Sequence, residues 1–207
     1  MVAARIGIRV RTGIRLCLPL ALPLYAVLAA RADWKPVEKV ETYAVAGKSG
    51  PELYASIGER GPKIGKGRTI AYTSFKLTWS RKYERQGDAC VLVSAVPKLV
   101  ITYTLPKPSQ QLPVAIARNW QTFITGVSNH EKVHGETIKD MVRKIEAATV
   151  GLTIAGDPDC RQIKTEMTRR LSELSQAQRQ QSRDFDQVEM SDGGNIHQLI
   201  LGLVNGG

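Results

Sequence analysis

Apolar and polar positions follow three patterns along the chain. Residues 16–30 are a run of fifteen uncharged, mostly apolar residues. Between residues 37 and 105 apolar positions tend to alternate with polar ones, the period of a strand with one buried face. After Pro113 they recur every three or four residues, the period of a helix face. The alternating segments predict strands over 37–45, 69–83, 89–96 and 99–105, with a turn at Gln86-Gly87-Asp88. Leu53 and Ile57, with Pro51 suited to a first helical turn, predict a short helix over 50–61, and a Gly/Lys loop follows at 63–67.

Pro106, Pro108 and Pro113 close the strand region. Val114, Ala117, Trp120, Ile124 and Val127 then mark an amphipathic helix, followed by a second series of His130, His134, Ile138, Met141 and Ile145. After a break at 151–158, a third helix is predicted over about 159–189, with the stripe Ile163, Met167, Leu171, Leu174, Gln181, Phe185 and Val188. The tail from Asp192 is Gly-rich and reads as loose, although 196–204 is apolar enough to pack. Strands first and helices second predict one α+β domain, with a small antiparallel sheet in the N-terminal half and a helical half after it.

Composition is that of a folded chain, 43% hydrophobic and 23% charged, which excludes a wholly disordered or collagen-like protein. Twenty-nine Lys and Arg against 19 Asp and Glu give a net charge of +10, which by itself suggests an anionic partner. The placement of the charge changes that picture. Arg5, Arg9, Arg11 and Arg15 precede the apolar run without an acidic residue, and Ala30-Arg31-Ala32 follows it, the order of a signal peptide over residues 1–32 cleaved after Ala32. The run falls short of the roughly 20 residues of a bilayer span; an uncleaved N-terminal anchor is the alternative. Cleavage removes five arginines and leaves residues 33–207 at +5 with two cysteines. The expected location is periplasmic or secreted, with no membrane span in the mature chain. The two cysteines, Cys90 and Cys160, are an even pair in an exported chain and predict one disulfide. Basic residues at 63–68 and 81–85 alternate with aromatics but read as a solvated strand face, so nucleic acid is not an expected partner.

Chemistry concentrates in Asn129-His130-Glu131-Lys132-Val133-His134-Gly135, which contains H-E-x-x-H on a predicted helix. The spacing of four puts both imidazoles on one face, where two nitrogens reach one zinc ion. Glu131 lies about 100° round the helix, placed to act as general base on a zinc-activated water. Catalytic zinc usually takes a third protein ligand and keeps one open position. Asp140 turns away on a continuing helix and is matched with Lys144 instead. The third helix offers Glu166, Glu173, Asp184, Asp186 and Glu189. Glu166 and Glu173 read as a solvated face, whereas acids near the helix C-terminus oppose its dipole and call for a cationic partner.

The export signal, the strand-rich first half, Trp120 and Phe123 before the motif, His130-Glu131-x-x-His134, Cys160 and the Phe185-Asp186 pair together resemble a bacterial family of secreted, zinc-dependent proteases, domain of unknown function 922. The resemblance implies a zincin-like metalloprotease domain over residues 33–207 and zinc as cofactor. It also implies His130, His134 and Asp186 as ligands. The family's later segment has the form Tyr-Asp-x-x-Thr-x-His-Gly; here Phe185-Asp186-Gln187-Val188-Glu189-Met190-Ser191-Asp192 keeps only the aromatic–Asp pair. The missing His-Gly leaves the transition-state donor of that segment unassigned; His197 could substitute only after a shift, and a lone histidine in a Gly-rich tail reads as exposed.

The resulting expectation is a zinc metallopeptidase with a peptide or protein substrate, hydrolysing by zinc-activated water with Glu131 as base. The alternative is a non-catalytic envelope protein with a structural or vestigial metal site. Structural zinc sites are usually closed by four ligands, often cysteines, and a disulfide removes those.

Overall fold

The structure is a computed structural model that describes residues 34–206; the segment read as a signal peptide and its expected cleavage site lie outside the described residues. Ten elements follow one another: β1 (Val37–Val45), α1 (Gly50–Arg60), β2 (Lys63–Ile64), β3 (Gly67–Arg68), β4 (Tyr72–Gln86), β5 (Ala89–Pro108), α2 (Val114–Thr149), β6 (Thr153–Ile154), α3 (Gln162–Met190) and α4 (Asn195–Asn205). The class is α+β, a sheet in the N-terminal half with helices packed on one side of it.

The sheet is mixed where an antiparallel one was expected. β4 and β5 form a long antiparallel hairpin, but β1 lies parallel to β5, pairing Val37 with Val100 through Val45 with Pro108. The strand order is β1-β5-β4. A parallel neighbour needs a long connection, and the stretch through α1 and β4 supplies it. Alternation reads strands but not which strands are neighbours, so the direction of β1 was invisible in the pattern.

The two strand candidates at 89–96 and 99–105 are one strand, β5, running straight through Pro97. A proline inside a sheet leaves a ladder bond unmade unless one flank is free. That condition holds here, because β1 covers β5 only from Val100 onward, leaving β4 alone beside Pro97. The turn at Gly87, with φ of +66°, joins β4 to β5 as expected. The Gly/Lys loop at 63–67 is a small hairpin, β2–β3, turning at Gly65.

The two apolar series after Pro113 are likewise one helix, α2, of 36 residues. Its first half buries Ile116, Trp120, Phe123 and Val127 against α1 and α4, and its second half buries Ile138, Met141, Val142 and Ile145 against Leu99, Ile101 and Tyr103 of β5. Val114, expected on the stripe, is exposed at the helix start. The tail read as loose is helical: α4 buries Ile196 and Leu203, and packs so closely on α1 that a Cβ on Gly50 would lie 1.8 Å from the Leu203 carbonyl oxygen.

α3 begins where Asp157 caps it. The carboxylate accepts hydrogen bonds from the backbone N–H groups of Arg161, Gln162 and Ile163, three donors that the helix cannot satisfy itself. Cys160, two residues before the helix starts, is disulfide-bonded to Cys90 of β5, as the even pair predicted. Ile163 and Met167 then bury against Cys90, Leu92 and Ala95. Among the described residues, no helix is long and apolar enough to cross a membrane.

Candidate metal centre

Helical geometry on α2 and the anchoring of α3 bring the site together. His130 and His134 lie one turn apart, and Asp186 reaches them from the last turns of α3. His130 Nε2 and His134 Nε2 are 3.1 Å apart; Asp186 Oδ1 is 3.1 Å from the first and 2.9 Å from the second. Three ligands at about 2.0–2.1 Å on one tetrahedral zinc stand roughly 3.3 Å from one another. The observed triangle is close to that spacing, and its chemistry is two imidazole nitrogens and a carboxylate oxygen. These residues therefore fit a zinc ion, with one side left toward a cleft of about 550 Å³.

The surroundings fix these three groups. Phe185 stacks on the His130 ring at 4.7 Å and 21° and meets the His134 ring edge-on at 5.4 Å. His130 is buried, and its Nδ1 makes no hydrogen bond. Glu189 Oε2 stands 3.6 Å from that nitrogen, the position of the carboxylate that usually orients a ligating imidazole but at a longer reach. Gly135, directly after His134, faces Tyr103; a Cβ there would lie 2.1 Å from the tyrosine hydroxyl. That hydroxyl donates to Glu38 Oε2 at 2.6 Å, and Lys139 of α2 pairs with Glu38 Oε1 at 2.7 Å. The absence of a side chain at Gly135 thus lets α2 lie close against β5.

Glu131 is buried beside the two histidines. The Thr73 hydroxyl of β4 donates to its Oε2 at 2.6 Å. Burial pushes the Glu131 carboxyl up; the Thr73 hydrogen bond and the neighbouring imidazoles pull it back only in part. For Asp186 burial also opposes ionisation, but hydrogen bonds from His130 and His134 outweigh it and hold the carboxyl well below the usual carboxylate range. For His130, burial disfavours the cation, while the Asp186 hydrogen bond and the Glu131 charge favour it more, so its pKa is raised. The anionic groups around these imidazoles attract positive charge, whether protons or a metal cation.

The other carboxylates considered from the sequence lie elsewhere. Asp140 pairs with Lys144 at 2.7 Å, Asp184 accepts from Gln180 at 2.6 Å, and Glu166 pairs with Arg169 and Arg170. His197 accepts from the Gly193 N–H in the turn before α4 and is outside the triangle. Among the described residues, His130, His134 and Asp186 are the grouping able to share a metal ion. Thr73 was missed: its only sequence signal is its place in an alternating strand, and nothing in that pattern points to Glu131.

The fold and site define an α+β protein in which two histidines of one long helix and an aspartate of the next converge beside a buried glutamate. The chain belongs to the family described as bacterial protein of unknown function (DUF922), which matches residues 40–194. That span holds the whole site from Thr73 to Glu189. No curated protein and no solved structure matches the chain.

Proposed function

We propose that the protein is an exported zinc-dependent peptidase. The observation that carries this reading is the convergence of His130, His134 and Asp186 to within 3.1 Å, with the buried Glu131 one residue along the same helix. Two imidazoles and one carboxylate would hold the zinc ion, which when bound supplies Lewis-acid polarisation of the scissile carbonyl and a more acidic water at neutral pH.

The chain's own residues do the rest. Glu131 takes a proton from the attacking water as its oxygen bonds to the carbonyl carbon. It returns that proton to the departing amine as the C–N bond breaks. Burial keeps its basicity nearer to neutral pH than an exposed carboxylate would be, which suits proton transfer in both directions. Thr73 aims Oε2, and Phe185 shields one face of the His130 ring from water. Three ligands rather than four favour an open catalytic position over a closed structural one. The Cys90–Cys160 disulfide and the basic–apolar–small order of residues 1–32 support export to an oxidising compartment.

Metal analysis of the purified mature protein is expected to find about one zinc per chain. Glu131→Gln should retain that zinc and lose peptide hydrolysis. Hydrolysis that persists in this variant removes Glu131 as the base, and a protein that binds no zinc overturns the reading.

A further inference from the structure

The cleft beside the site has two unlike walls. On one side Tyr72, Thr73, Ser74 and Phe75, four consecutive residues of β4, all border it. Strand side chains alternate between faces, so one face of a strand contributes only every second residue. Four in succession mean that the cleft runs along the edge of β4. The strand order β1-β5-β4 leaves that edge as the end of the sheet, with backbone groups available for pairing. The opposite wall is α3, which turns Gln178, Arg179, Ser182, Arg183 and Asp186 toward the cleft.

Arg179 and Arg183 are the charged groups of that wall besides Asp186. Asp186 is engaged by His130 and His134 rather than by the arginines. Arg183 donates to the neutral Gln180 side chain, and among the described residues neither arginine forms an ion pair. Both are exposed at the rim. Ile64 of the β2–β3 hairpin also borders the cleft. At a rise of about 1.5 Å per residue, Arg183 and Arg179 stand roughly 5 and 10 Å along α3 from Asp186. At about 3.3 Å per extended residue, that is one to three residues of a bound peptide.

We propose that the cleft selects an extended peptide bearing an acidic side chain one to three residues from the bond aligned with the site. Its backbone adds to the edge of β4 and its carboxylate is held by Arg179 and Arg183. The inference rests on the peptidase reading for its orientation, but its test measures binding alone. Guanidinium forks grip carboxylates bidentately, which is why two of them select an acid over a neutral group of similar size.

The test uses the mature Glu131→Gln protein loaded with zinc and fluorescent decapeptides, read by fluorescence anisotropy. One set carries a central Glu, Gln or Lys with an amidated C-terminus; a further neutral peptide has a free C-terminus. The Glu peptide is expected to bind about tenfold more tightly than the Gln peptide, as charge-assisted bonds predict, with the Lys peptide weakest. Adding Arg179→Gln and Arg183→Gln should reduce the Glu preference to less than about twofold with zinc content and helix signal unchanged. N-methylation of alternate residues should weaken binding in one register and spare the other. Equal binding of Glu and Gln peptides, or a preference that survives the double arginine substitution, overturns the proposal. So does equal tightening by the free C-terminus of the neutral peptide, or indifference to N-methylation in both registers. If the Glu peptide binds as described while the unmodified protein never cleaves it, the peptidase reading fails and the acidic preference stands.

Discussion

The two halves of α3 face the same interior from one continuous helix, yet they are built for different tasks. In the first half Ile163 and Met167 are fully buried, Leu171 and Leu174 pack on the core, and Asp157 and the disulfide hold the start. In the second half only Gln178 is buried, and the residues turned to the cleft are polar apart from Met190 at its end. Apolar burial contributes about 1.5–3 kcal/mol for each large side chain, so the first half carries the stability. The second half extends from that anchor and carries Asp186 of the candidate site, which is thereby positioned with little packing of its own.

That contrast can be broken by substitution, and the largest effect is expected at the far end. Asp186→Ala should weaken zinc binding by more than the roughly 10- to 100-fold that loss of a group orienting a ligand costs. Asp140→Ala should leave it unchanged. Isothermal titration with zinc reads both, and the reverse order would move the third ligand onto α2. Met167→Ala should do the opposite, costing about 2–5 kcal/mol of unfolding free energy while one zinc still binds per chain in the folded protein. Chemical denaturation beside metal analysis separates the two; a Met167 variant with native stability would deny the anchor.

Smaller effects sharpen the comparison. Thr73→Val removes one hydrogen bond to Glu131 and should slow hydrolysis about tenfold with zinc retained. An unchanged rate would show that Glu131 is aimed by burial alone. The smallest concerns acid. Burial raises the Asp157 carboxyl, but three backbone N–H groups of α3 outweigh it and hold the pKa below the ordinary value. A lowered folded pKa gives stability that is present above the unfolded value of about 3.9 and is lost as pH falls through the folded one. The melting temperature of the unmodified protein should therefore fall more steeply below about pH 4 than that of Asp157→Asn. Parallel curves would remove Asp157 as the cap.

Much of this division was legible beforehand. The α3 stripe packs where it reads Ile163, Met167, Leu171 and Leu174, although Val188, read into the same stripe, is exposed, and His130-Glu131-x-x-His134 sits inside a helical period. Both are local patterns at fixed spacing. Asp186 was reached through resemblance and not through spacing, because it comes from a second helix whose rotation no single pattern sets. The parallel direction of β1, the continuity of β5 through Pro97 and the reach of Thr73 to Glu131 are relations between segments far apart in sequence. Periodicity assigns a face to each segment and says nothing of which faces meet.

The seat of Tyr103 on Gly135 has a consequence for descent. A lineage that gains a methyl group at position 135 must lose the hydroxyl at 103 or lift α2 away from β5, and lifting α2 carries His134 with it. The two positions are therefore expected to be inherited as a pair, a smaller ring partner appearing wherever the glycine is replaced. The Glu38 carboxylate would then keep its Lys139 partner and lose the tyrosine hydroxyl in those branches.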